Sequence, residues 1–441
     1  MYKKWQEMYK SKLTTADEAV AMIRDGEVIS SAFGNGQPVG LYEALARRVK
    51  AGKLHRPTIL AANMVGGMAL LDPEVADKIE FDSFFVGDER EQIKAGLYTY
   101  SPVKFGDLEN ISSKGLRPVQ VSVMRVSPMD NHGFFSTGIN VDFGWDIAKS
   151  NPNRRLLIIE VNKYVPRTYG NNQLHISEVD VIIEHDVPLV EVPAPPTKKE
   201  WDLIGHYIAE MVPDGATLQL GVGGIPSAVG QCLKDKKDLG VHTEVIPDVF
   251  LDLYKAGAIT CRKKTFMPYK WVAAFANGTQ ELFDFVHENP MIEMHGCGLV
   301  NNPYVIAQND NMISVNATLQ IDLTGQCASE AIGPVQFSST GGQLDFVQGA
   351  WMSKGGKSFI CTESTYTDKN GEKKSKIVPQ LYPGSFITTP RTEVHWVVTE
   401  YGAVLLKGQS IRTRVANLIS VAHPDFRDEL RFAARKMGYL G

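Results

Sequence analysis

The sequence predicts an α/β fold made of two similar domains built on parallel sheets. Its 441 residues exceed what one hydrophobic core usually supports, since single domains typically hold about 100 to 200 residues. Strand-like apolar runs alternate with amphipathic helical segments, as in parallel α/β sheets. One unit of helix, Asp-Gly turn, strand and glycine turn also occurs once in each half of the chain.

The boundary between the two domains is predicted within residues 190–200, where three prolines stand among polar residues. Proline fixes φ and lacks an N–H, which disfavours both a helix and a central strand. The predicted domains are therefore residues 1–190 and residues 199–441.

The repeated unit supports this division. In the first half, apolar residues at helical spacing lead to Asp25-Gly26, an apolar run at 28–33 and the glycine turn 34–38. In the second half, a helix from Trp201 leads to Asp214-Gly215, an apolar run and the glycine turn 221–226. Two copies at corresponding places suggest duplication of one α/β module.

Further apolar segments predict other strands and helices of the two domains. Strands are predicted at 155–161, 179–183, 312–315 and 394–399, and helices at 279–286 and 410–436. The lysine-rich stretch 368–376 is predicted to be a solvated hairpin or loop tip.

Composition limits the class of protein. A hydrophobic content of 43%, a charged content of 22% and a net charge of −4 are typical of a folded globular protein and give no global field for nucleic acid. Five scattered cysteines without metal-site spacing favour free thiols in a reducing cytosol. Because no secretory signal or membrane span is visible, we predict a cytoplasmic protein without nucleic-acid or membrane partners.

The glycine turn at 221–226 is a candidate ligand site. Glycines after a strand let main-chain amides approach a ligand closely, and the following helix adds a partial positive charge. Pro226 stands where a dinucleotide fingerprint requires glycine, which disfavours a nicotinamide cofactor. A tight turn without any ligand is the alternative interpretation.

Glu244 is the candidate nucleophile. It lies in the segment Val-His-Thr-Glu-Val-Ile-Pro-Asp at 241–248, close to amides of the 221–224 turn that can hold an oxyanion. His242 is assigned a structural role, on the expectation that it and Glu244 leave the strand on opposite faces. A second glycine pair, Gly341-Gly342, follows hydroxyl side chains and is a candidate site for phosphate or pantetheine. No metal-binding motif or serine-hydrolase elbow is present.

Several segments together resemble the acetyl-CoA hydrolase/transferase family, and within it the 4-hydroxybutyrate and butyrate–acetate CoA-transferases. The matching segments occur in the same order along nearly the whole chain: 127–133, 219–226, 241–248, 321–326, 339–346, 389–391, 398–402 and 422–424. The resemblance implies the CoA-transferase fold, with two similar open α/β domains and the active site between them. It also implies a homodimer or homotetramer.

By this resemblance, Glu244 matches the catalytic glutamate, which carries CoA as a glutamyl thioester in a ping-pong cycle. The positions that match CoA-binding or substrate-binding residues are Gln219, Leu220, Gly221, Val222, Gly223, Gly224, Leu319, Gly341 and Gly342. CoA is then a substrate and covalent intermediate, with no permanently bound cofactor and no metal.

Two alternatives stay open at the level of sequence. An acyl-CoA hydrolase uses the same glutamate but admits water to an intermediate. A non-catalytic acyl-CoA sensor, in which Glu244 is an ordinary carboxylate at the end of a strand, is the rival from another class.

Overall fold

A computed structural model describes residues 2–64 and 68–441. The chain divides into two compact units. The first comprises Met1–Val192 and Val272–Val300, and the second comprises Pro193–Trp271 and Asn301–Gly441. The chain therefore leaves the second unit at residue 272 and returns to it at residue 301. A division of the chain at a single boundary does not describe this crossing. The domain limits 1–190 and 199–441 stay a prediction.

The strands are short and mostly buried. In chain order they are β1 (Val28–Phe33), β2 (Thr58–Ala62), β3 (Glu80–Ser83), β4 (Thr99–Tyr100), β5 (Val121–Val126), β6 (Phe134–Ser136), β7 (Leu156–Val161), β8 (Tyr169–Gly170), β9 (Gln173–His175), β10 (Val181–Glu184), β11 (Thr217–Leu220), β12 (Gly240–Ile246), β13 (Trp271–Ala276), β14 (Ile292–Met294), β15 (Met312–Ala317), β16 (Gln320–Asp322), β17 (Cys327–Ala328), β18 (Ala331–Ile332), β19 (Val335–Gln336), β20 (Lys357–Cys361), β21 (Thr365–Thr367), β22 (Lys373–Ser375), β23 (Ile377–Val378), β24 (Trp396–Thr399) and β25 (Gly402–Leu405).

The α-helices connect these strands. In chain order they are α1 (Tyr2–Lys12), α2 (Ala16–Ala21), α3 (Val39–Lys50), α4 (Pro73–Ala76), α5 (Arg90–Lys94), α6 (Leu108–Ser113), α7 (Asp142–Ser150), α8 (Lys199–Met211), α9 (Gly224–Gln231), α10 (Asp248–Lys255), α11 (Gln280–Val286), α12 (Cys297–Val300), α13 (Pro303–Ile306), α14 (Gln343–Met352), α15 (Ile411–Ser420) and α16 (Arg427–Lys436).

Each unit is built on a parallel sheet. In the first unit the strand order is β10-β7-β5-β1-β2-β3-β4, and every neighbouring pair is parallel. In the second unit the order β24-β20-β15-β11-β12 is parallel, and β25 pairs with β24 in the antiparallel direction. The predicted α/β class with parallel sheets is confirmed.

The two sheets share one topology. The order β10-β7-β5-β1-β2 of the first unit matches β24-β20-β15-β11-β12 of the second, strand for strand. In both, the first strand of the unit is central and is followed by a glycine-containing turn and a helix. This agreement supports the duplicated module that the sequence predicts. Because the chain order reverses beside β1 and beside β11, each sheet has a crevice where the carboxyl ends of its strands diverge.

Apolar side chains fill the core on the sheet surfaces. In the first unit, residues of β1, β2, β5 and β7 pack with the buried face of α3, including Leu41 and Leu45. In the second unit, residues of β20 and β24 pack with α14 and α15, including Val347 and Leu418. Strands buried on both faces read as continuous apolar runs, which explains why the sequence pattern locates them well.

Most predicted elements lie where the sequence places them. The stretch 368–376 spans the turn and second strand of the hairpin that pairs β21 with β22. The single helix predicted over 410–436 is wrong, because α15 ends at Ser420 and α16 begins at Arg427. Pro424 starts a 3-10 turn between them, since a proline has no N–H to continue the helix. No helix within residues 2–64 and 68–441 is both long and apolar enough to cross a bilayer.

A buried carboxylate on α7 accepts a hydrogen bond from the first turn of helix α12 in the first unit. Asp146 Oδ2 accepts a hydrogen bond of 2.8 Å from the Gly298 main-chain N–H, and Asp146 is 7% exposed. A Cβ added to Gly296 would lie 1.8 Å from Asp146 Oδ1, so the carboxylate is packed directly on the main chain. Burial raises the pKa of Asp146 to about 8, and the nearby carboxylates of Glu109 and Asp142 add to the shift.

We therefore expect Asp146→Asn to change how stability depends on pH. A carboxyl group with a raised pKa in the folded state stabilises the fold below its unfolded pKa of about 3.9 and loses that contribution as the pH rises to about 8. Asn does not titrate, so the melting temperature of the variant relative to the parent should rise between pH 5 and pH 9. A constant difference across that range would show that Asp146 is not the titrating group.

Candidate functional site

The turn at 221–224 joins β11 to α9. Gly223 has φ +118° and ψ 179°, a backbone conformation that residues with a Cβ avoid. Gly224 begins α9, and a Cβ added there would lie 1.9 Å from the ring of Trp201. The first N–H groups of α9 have no acceptor within the helix, whereas the Gly221 N–H already donates to the Val315 carbonyl at 3.0 Å.

The strand before this turn carries a buried polar network. Gln219 is 3% exposed, and its Oε1 accepts from Ser314 Oγ at 2.8 Å and from Asn316 Nδ2 at 3.1 Å. Its Nε2 donates to Asn316 Oδ1 at 3.2 Å. Both ends of the Gln219 amide are therefore hydrogen-bonded across β11 and β15, below the glycine turn. Leu220, the next residue, is fully buried.

Glu244 lies near the carboxyl end of β12. The register of β11 and β12 pairs Leu218 with Val241, which places Glu244 in the row beyond the last residue of β11. Its side chain is half-buried. Asn301 Nδ2 donates a hydrogen bond of 2.5 Å to Glu244 Oε2, and a donor at this position orients the carboxylate and can stabilise charge on that oxygen.

The main chain of Gly342 contacts this carboxylate directly. A Cβ added to Gly342 would lie 2.1 Å from Glu244 Oε2 and 2.1 Å from Asn301 Nδ2. Gly342 is the N-cap of α14, so the positive end of the helix dipole faces a negative charge. Gly341, the residue before it, has φ +55°, which also favours glycine. Glycine is therefore favoured at residue 342 for a steric reason and at residue 341 for a conformational one.

The expectation about His242 is wrong in its geometry. Residues two apart in a strand point to the same face, so His242 and Glu244 both leave β12 on one side. His242 is fully buried, and its Nδ1 lies 3.2 Å from Asn309 Nδ2. Its ring packs near Phe266 and Phe346. These contacts give His242 a packing role in the second unit.

The structure brings some of the predicted site residues together. Glu244 and Gly342 are in contact, and Gly341 precedes Gly342 in its turn. Val222 is 59% exposed in the other glycine turn. Leu319 is half-buried, and its N–H donates to the Ala328 carbonyl at 3.1 Å. The assignment of all these positions to CoA binding stays a prediction.

Sequence reasoning missed Asn301 and the role of Trp201. Asn301 stands beside Asn302, which caps α13 by accepting from the Tyr304 N–H at 2.9 Å; a second Asn that the cap does not need was the available signal. The sequence pattern places Trp201 only at the start of a helix. Its Nε1 donates to Glu363 Oε1 at 2.8 Å, which fixes the ring that packs on Gly224.

No metal site is formed within the described part of the chain. Among residues 2–64 and 68–441, no group of three or more His, Cys, Asp and Glu side chains is placed to hold an ion. The groups that meet at Glu244 are its carboxylate, the Asn301 amide and the main chain of Gly342.

Comparison with known proteins identifies similar chains over the full length. The model of the acetyl-CoA hydrolase/transferase N-terminal domain matches residues 1–193, and that of the C-terminal domain matches residues 278–434. Glu244 lies between these two matched stretches.

Two curated relatives and one solved structure are similar throughout. A succinyl-CoA:cyclohexane-1-carboxylate CoA transferase of Geobacter metallireducens is 41% identical, covering 99% of this chain and 98% of the relative. A 4-hydroxybutyrate coenzyme A transferase of Clostridium kluyveri is 41% identical, covering 97% and 98%. The crystal structure of RipA from Yersinia pestis superimposes with a TM-score of 0.92 at 41% identity, covering 99% of both chains.

The contact between Gly342 and Glu244 gives a structural prediction. In Gly342→Ala, the new Cβ must gain at least 0.9 Å over its 2.1 Å separation to reach the closest approach of 3.0 Å. Either the turn or the pair of Glu244 and Asn301 must move. We expect a crystal structure of the variant to show the hydrogen bond from Asn301 to Glu244 lengthened or broken, and overpacking to cost about 1 to 3 kcal/mol of stability.

Gly371→Ala is the matched control, because Gly371 has open space around its Cα and a φ of +81°. Its substitution strains the backbone without touching the site. If Gly342→Ala leaves the position of Glu244 and the Asn301 hydrogen bond unchanged, the close contact is not the reason for glycine there.

Proposed function

Because this chain belongs to the acetyl-CoA hydrolase/transferase family, we propose that it transfers CoA from a short-chain acyl-CoA to a carboxylate such as acetate. The observation that carries the proposal is the carboxylate of Glu244, held by the Asn301 amide against the main chain of Gly342. A carboxylate is the nucleophile that this transfer needs, since an anhydride lets two acids exchange CoA without losing the energy of the thioester.

The first half of the proposed cycle moves CoA onto the protein. One oxygen of Glu244 attacks the thioester carbon, the C–S bond breaks, and an acyl-glutamyl anhydride and a CoA thiolate form. The thiolate then attacks the glutamyl carbonyl carbon. Its C–O bond to the acyl group breaks, which releases the first carboxylate and leaves a glutamyl-CoA thioester on Glu244.

The second half reverses these steps with a different acid. The incoming carboxylate attacks the glutamyl thioester, CoA thiolate leaves, and a new mixed anhydride forms. Attack of the thiolate on the acyl carbon of this anhydride gives the new acyl-CoA and restores the Glu244 carboxylate. No proton, metal or redox partner is consumed, so the residues of the site suffice for the chemistry.

Asn301 supports both halves in the proposed mechanism. Each attack on the glutamyl carbon places negative charge on a glutamyl oxygen, and Asn301 Nδ2 already lies 2.5 Å from Oε2. A preorganised donor to such an oxyanion typically contributes about 3 to 4 kcal/mol of transition-state stabilisation. The oxygen that Asn301 does not hold is then the one that attacks the acyl-CoA.

We assign CoA to the carboxyl edge of the second unit's sheet. The exposed Val222 and the open N–H groups at the start of α9 offer main-chain hydrogen bonds to amide carbonyls of the pantetheine arm. The buried network of Gln219, Ser314 and Asn316 supports that turn from below. On this assignment Gln219 positions the turn, while residues 222–224 contact CoA.

The acyl group is proposed from chemistry that the relatives share. Their named substrates include a succinyl thioester, a cyclohexane carboxylate and 4-hydroxybutyrate, all carboxylic acids with different substituents. We therefore propose a short or compact carboxylic acid, with 4-hydroxybutyryl-CoA or butyryl-CoA as donor and acetate as acceptor.

A hydrolase is the second candidate, because the family includes acetyl-CoA hydrolases and the same glutamyl intermediates form in both reactions. The two differ only in whether water reaches an intermediate. CoA release that needs no acceptor acid would favour the hydrolase, and acid-dependent exchange would favour the transferase.

We propose further that the protein is a cytoplasmic homo-oligomer, a dimer or a tetramer. Four of the five cysteines are buried, and the five form no disulfide with one another, which supports a reducing compartment. Closed symmetric assemblies are common among soluble enzymes. Cell fractionation tests the compartment. A monomeric mass by light scattering at micromolar concentration would contradict the assembly.

The covalent intermediate gives the decisive test. Mixing the protein with butyryl-CoA and trapping with hydroxylamine or borohydride should modify one peptide only, the one that contains Glu244, as read by intact mass and peptide mapping. Glu244→Ala should lose the adduct and about 10⁴-fold or more of kcat. Acyl-CoA turnover in the parent without any modification of Glu244 would remove the proposed mechanism.

Asn301→Ala distinguishes the contribution of the hydrogen-bond donor from that of the nucleophile in the same experiment. The variant keeps Glu244, so the adduct should still form, but about 10²- to 10³-fold more slowly. Glu400→Ala is a matched control, because Glu400 accepts hydrogen bonds from Ser364 and from no residue of the site. Its rate of adduct formation should equal that of the parent.

A further inference from the structure

Glu330 is a buried carboxylate outside the residues that contact Glu244. It is 6% exposed, and its two oxygens accept hydrogen bonds from neutral side chains. Oε1 accepts from Thr388 Oγ1 at 3.1 Å, and Oε2 accepts from Thr340 Oγ1 at 3.3 Å and from Gln336 Nε2 at 3.4 Å. Within residues 2–64 and 68–441, no Lys, Arg or His forms an ion pair with it. Burial raises the pKa of this carboxyl group.

The segment 336–340 is folded around Glu330. The main-chain carbonyl of Glu330 accepts from the Phe337 N–H at 2.7 Å and from the Ser338 N–H at 3.1 Å. The Gln336 side chain also donates to the Ser338 carbonyl at 2.7 Å. The Glu330 side chain thus binds Gln336 and Thr340 at the two ends of this segment, and its main-chain carbonyl binds Phe337 and Ser338 between them.

This segment leads directly into the site. Thr340, which donates to the Glu330 carboxylate, is followed by Gly341 and Gly342, and Gly342 has no room for a Cβ beside Glu244. A displacement of the turn by a fraction of an ångström would therefore either press on the carboxylate or open the contact. Glu330 itself does not touch Glu244.

The start of α14 is tied to the same loops. Gln343 Nε2 donates to Ser329 Oγ at 3.0 Å and to Thr389 Oγ1 at 3.1 Å. The Ser329 N–H in turn donates to Thr388 Oγ1 at 3.0 Å, the hydroxyl that donates to Glu330. The segment at 389–391, which carries part of the family resemblance but no reacting group, thus joins the network that fixes the turn.

We propose that Glu330 is a positioning residue, which holds the turn Thr340–Gly342 so that Gly342 and Asn301 keep the Glu244 carboxylate in its reactive orientation. The inference rests on the proposed function. A buried charge without a cation is costly to maintain, and a carboxylate is the side chain that accepts from several donors on different loops at once. A role in fixing the geometry at Glu244 explains why a carboxylate is buried there despite this cost.

The test compares two substitutions of Glu330 in the full-length protein. Glu330→Ala removes all three hydrogen bonds, and its kcat for CoA transfer should fall by about ten-fold to a hundred-fold because the nucleophile is misplaced. Its KM for acyl-CoA should change by less than about three-fold, since the turn at 221–224 is intact. In Glu330→Gln, the amide oxygen can accept from Thr340 and Gln336 while the amide N–H donates to the Thr388 hydroxyl, so most of kcat should return.

Two outcomes would overturn the proposal. The first is a folded Glu330→Ala with a lower melting temperature but the kcat of the parent, which is the result expected of a purely structural residue. The second is a folded Glu330→Gln as slow as the alanine variant, because then the charge and not the hydrogen-bonded geometry matters.

Thr340→Val keeps the test informative if the alanine variant does not fold. Val has the shape of Thr but does not donate to Glu330, so kcat should fall while Thr340→Ser restores it. Glu400→Ala again serves as the control for loss of a carboxylate in the same unit.

A crystal structure of Glu330→Ala or Thr340→Val separates this inference from the proposed function. Displacement of residues 340–342 from Glu244 is expected whatever reaction the protein catalyses, and an unmoved turn would refute the inference. Absence of CoA transfer in the parent protein, with the turn displaced in the variant, would instead refute the proposed function alone.

Discussion

The contact among Glu244, Asn301 and the main chain of Gly342 is the constraint on which the second unit depends. A carboxylate oxygen lies 2.5 Å from the Asn301 amide nitrogen and leaves no space for a side chain at residue 342. Three stretches of chain, 240–246, 301–302 and 340–343, must therefore agree in position to within a fraction of an ångström. Much of the surrounding hydrogen bonding serves this agreement.

Two layers of support act on the site from different sides. Under the glycine turn at 221–224, Gln219 and Asn316 pair across neighbouring strands, and Trp201 packs on Gly224 with its ring held by Glu363. Under the turn at 340–342, Glu330 and Gln343 bind loops that are distant in sequence. These networks are buried or partly buried, and hydrogen-bond networks of this kind can fix reacting groups before a substrate arrives.

Sequence reasoning found the elements with the strongest local signals. The parallel strands are apolar on both faces, and the Gly221 and Gly223 positions follow a strand and precede a helix, so both are visible in the pattern. Glu244 was identified from its segment and from family resemblance. Asn301 was missed because nothing local marks an amide whose partner is 57 residues away in the chain, and Glu330 was missed because burial of a charge is a property of tertiary structure.

The errors have equally specific causes. The long helix predicted at the end of the chain ignored Pro424, whose missing N–H ends the hydrogen-bond ladder. His242 and Glu244 are two residues apart in β12 and therefore share a face of the sheet, so the expected opposite faces are wrong, and the ring is fully buried. The assignment of residues 272–300 to the first unit is a separate matter and leaves the domain limits a prediction, because apolar periodicity identifies strands and helices but not the unit to which they belong.

This assignment of residues 272–300 has a consequence for how the protein is made. Neither unit is a continuous stretch of chain, because the first needs residues 272–300 and the second needs residues on both sides of them. During synthesis from the N-terminus, the first unit cannot be completed until residue 300 has left the ribosome, by which time the strand that bears Glu244 has already emerged. Asn301 is the next residue to appear, so maturation of the two units is interleaved in time.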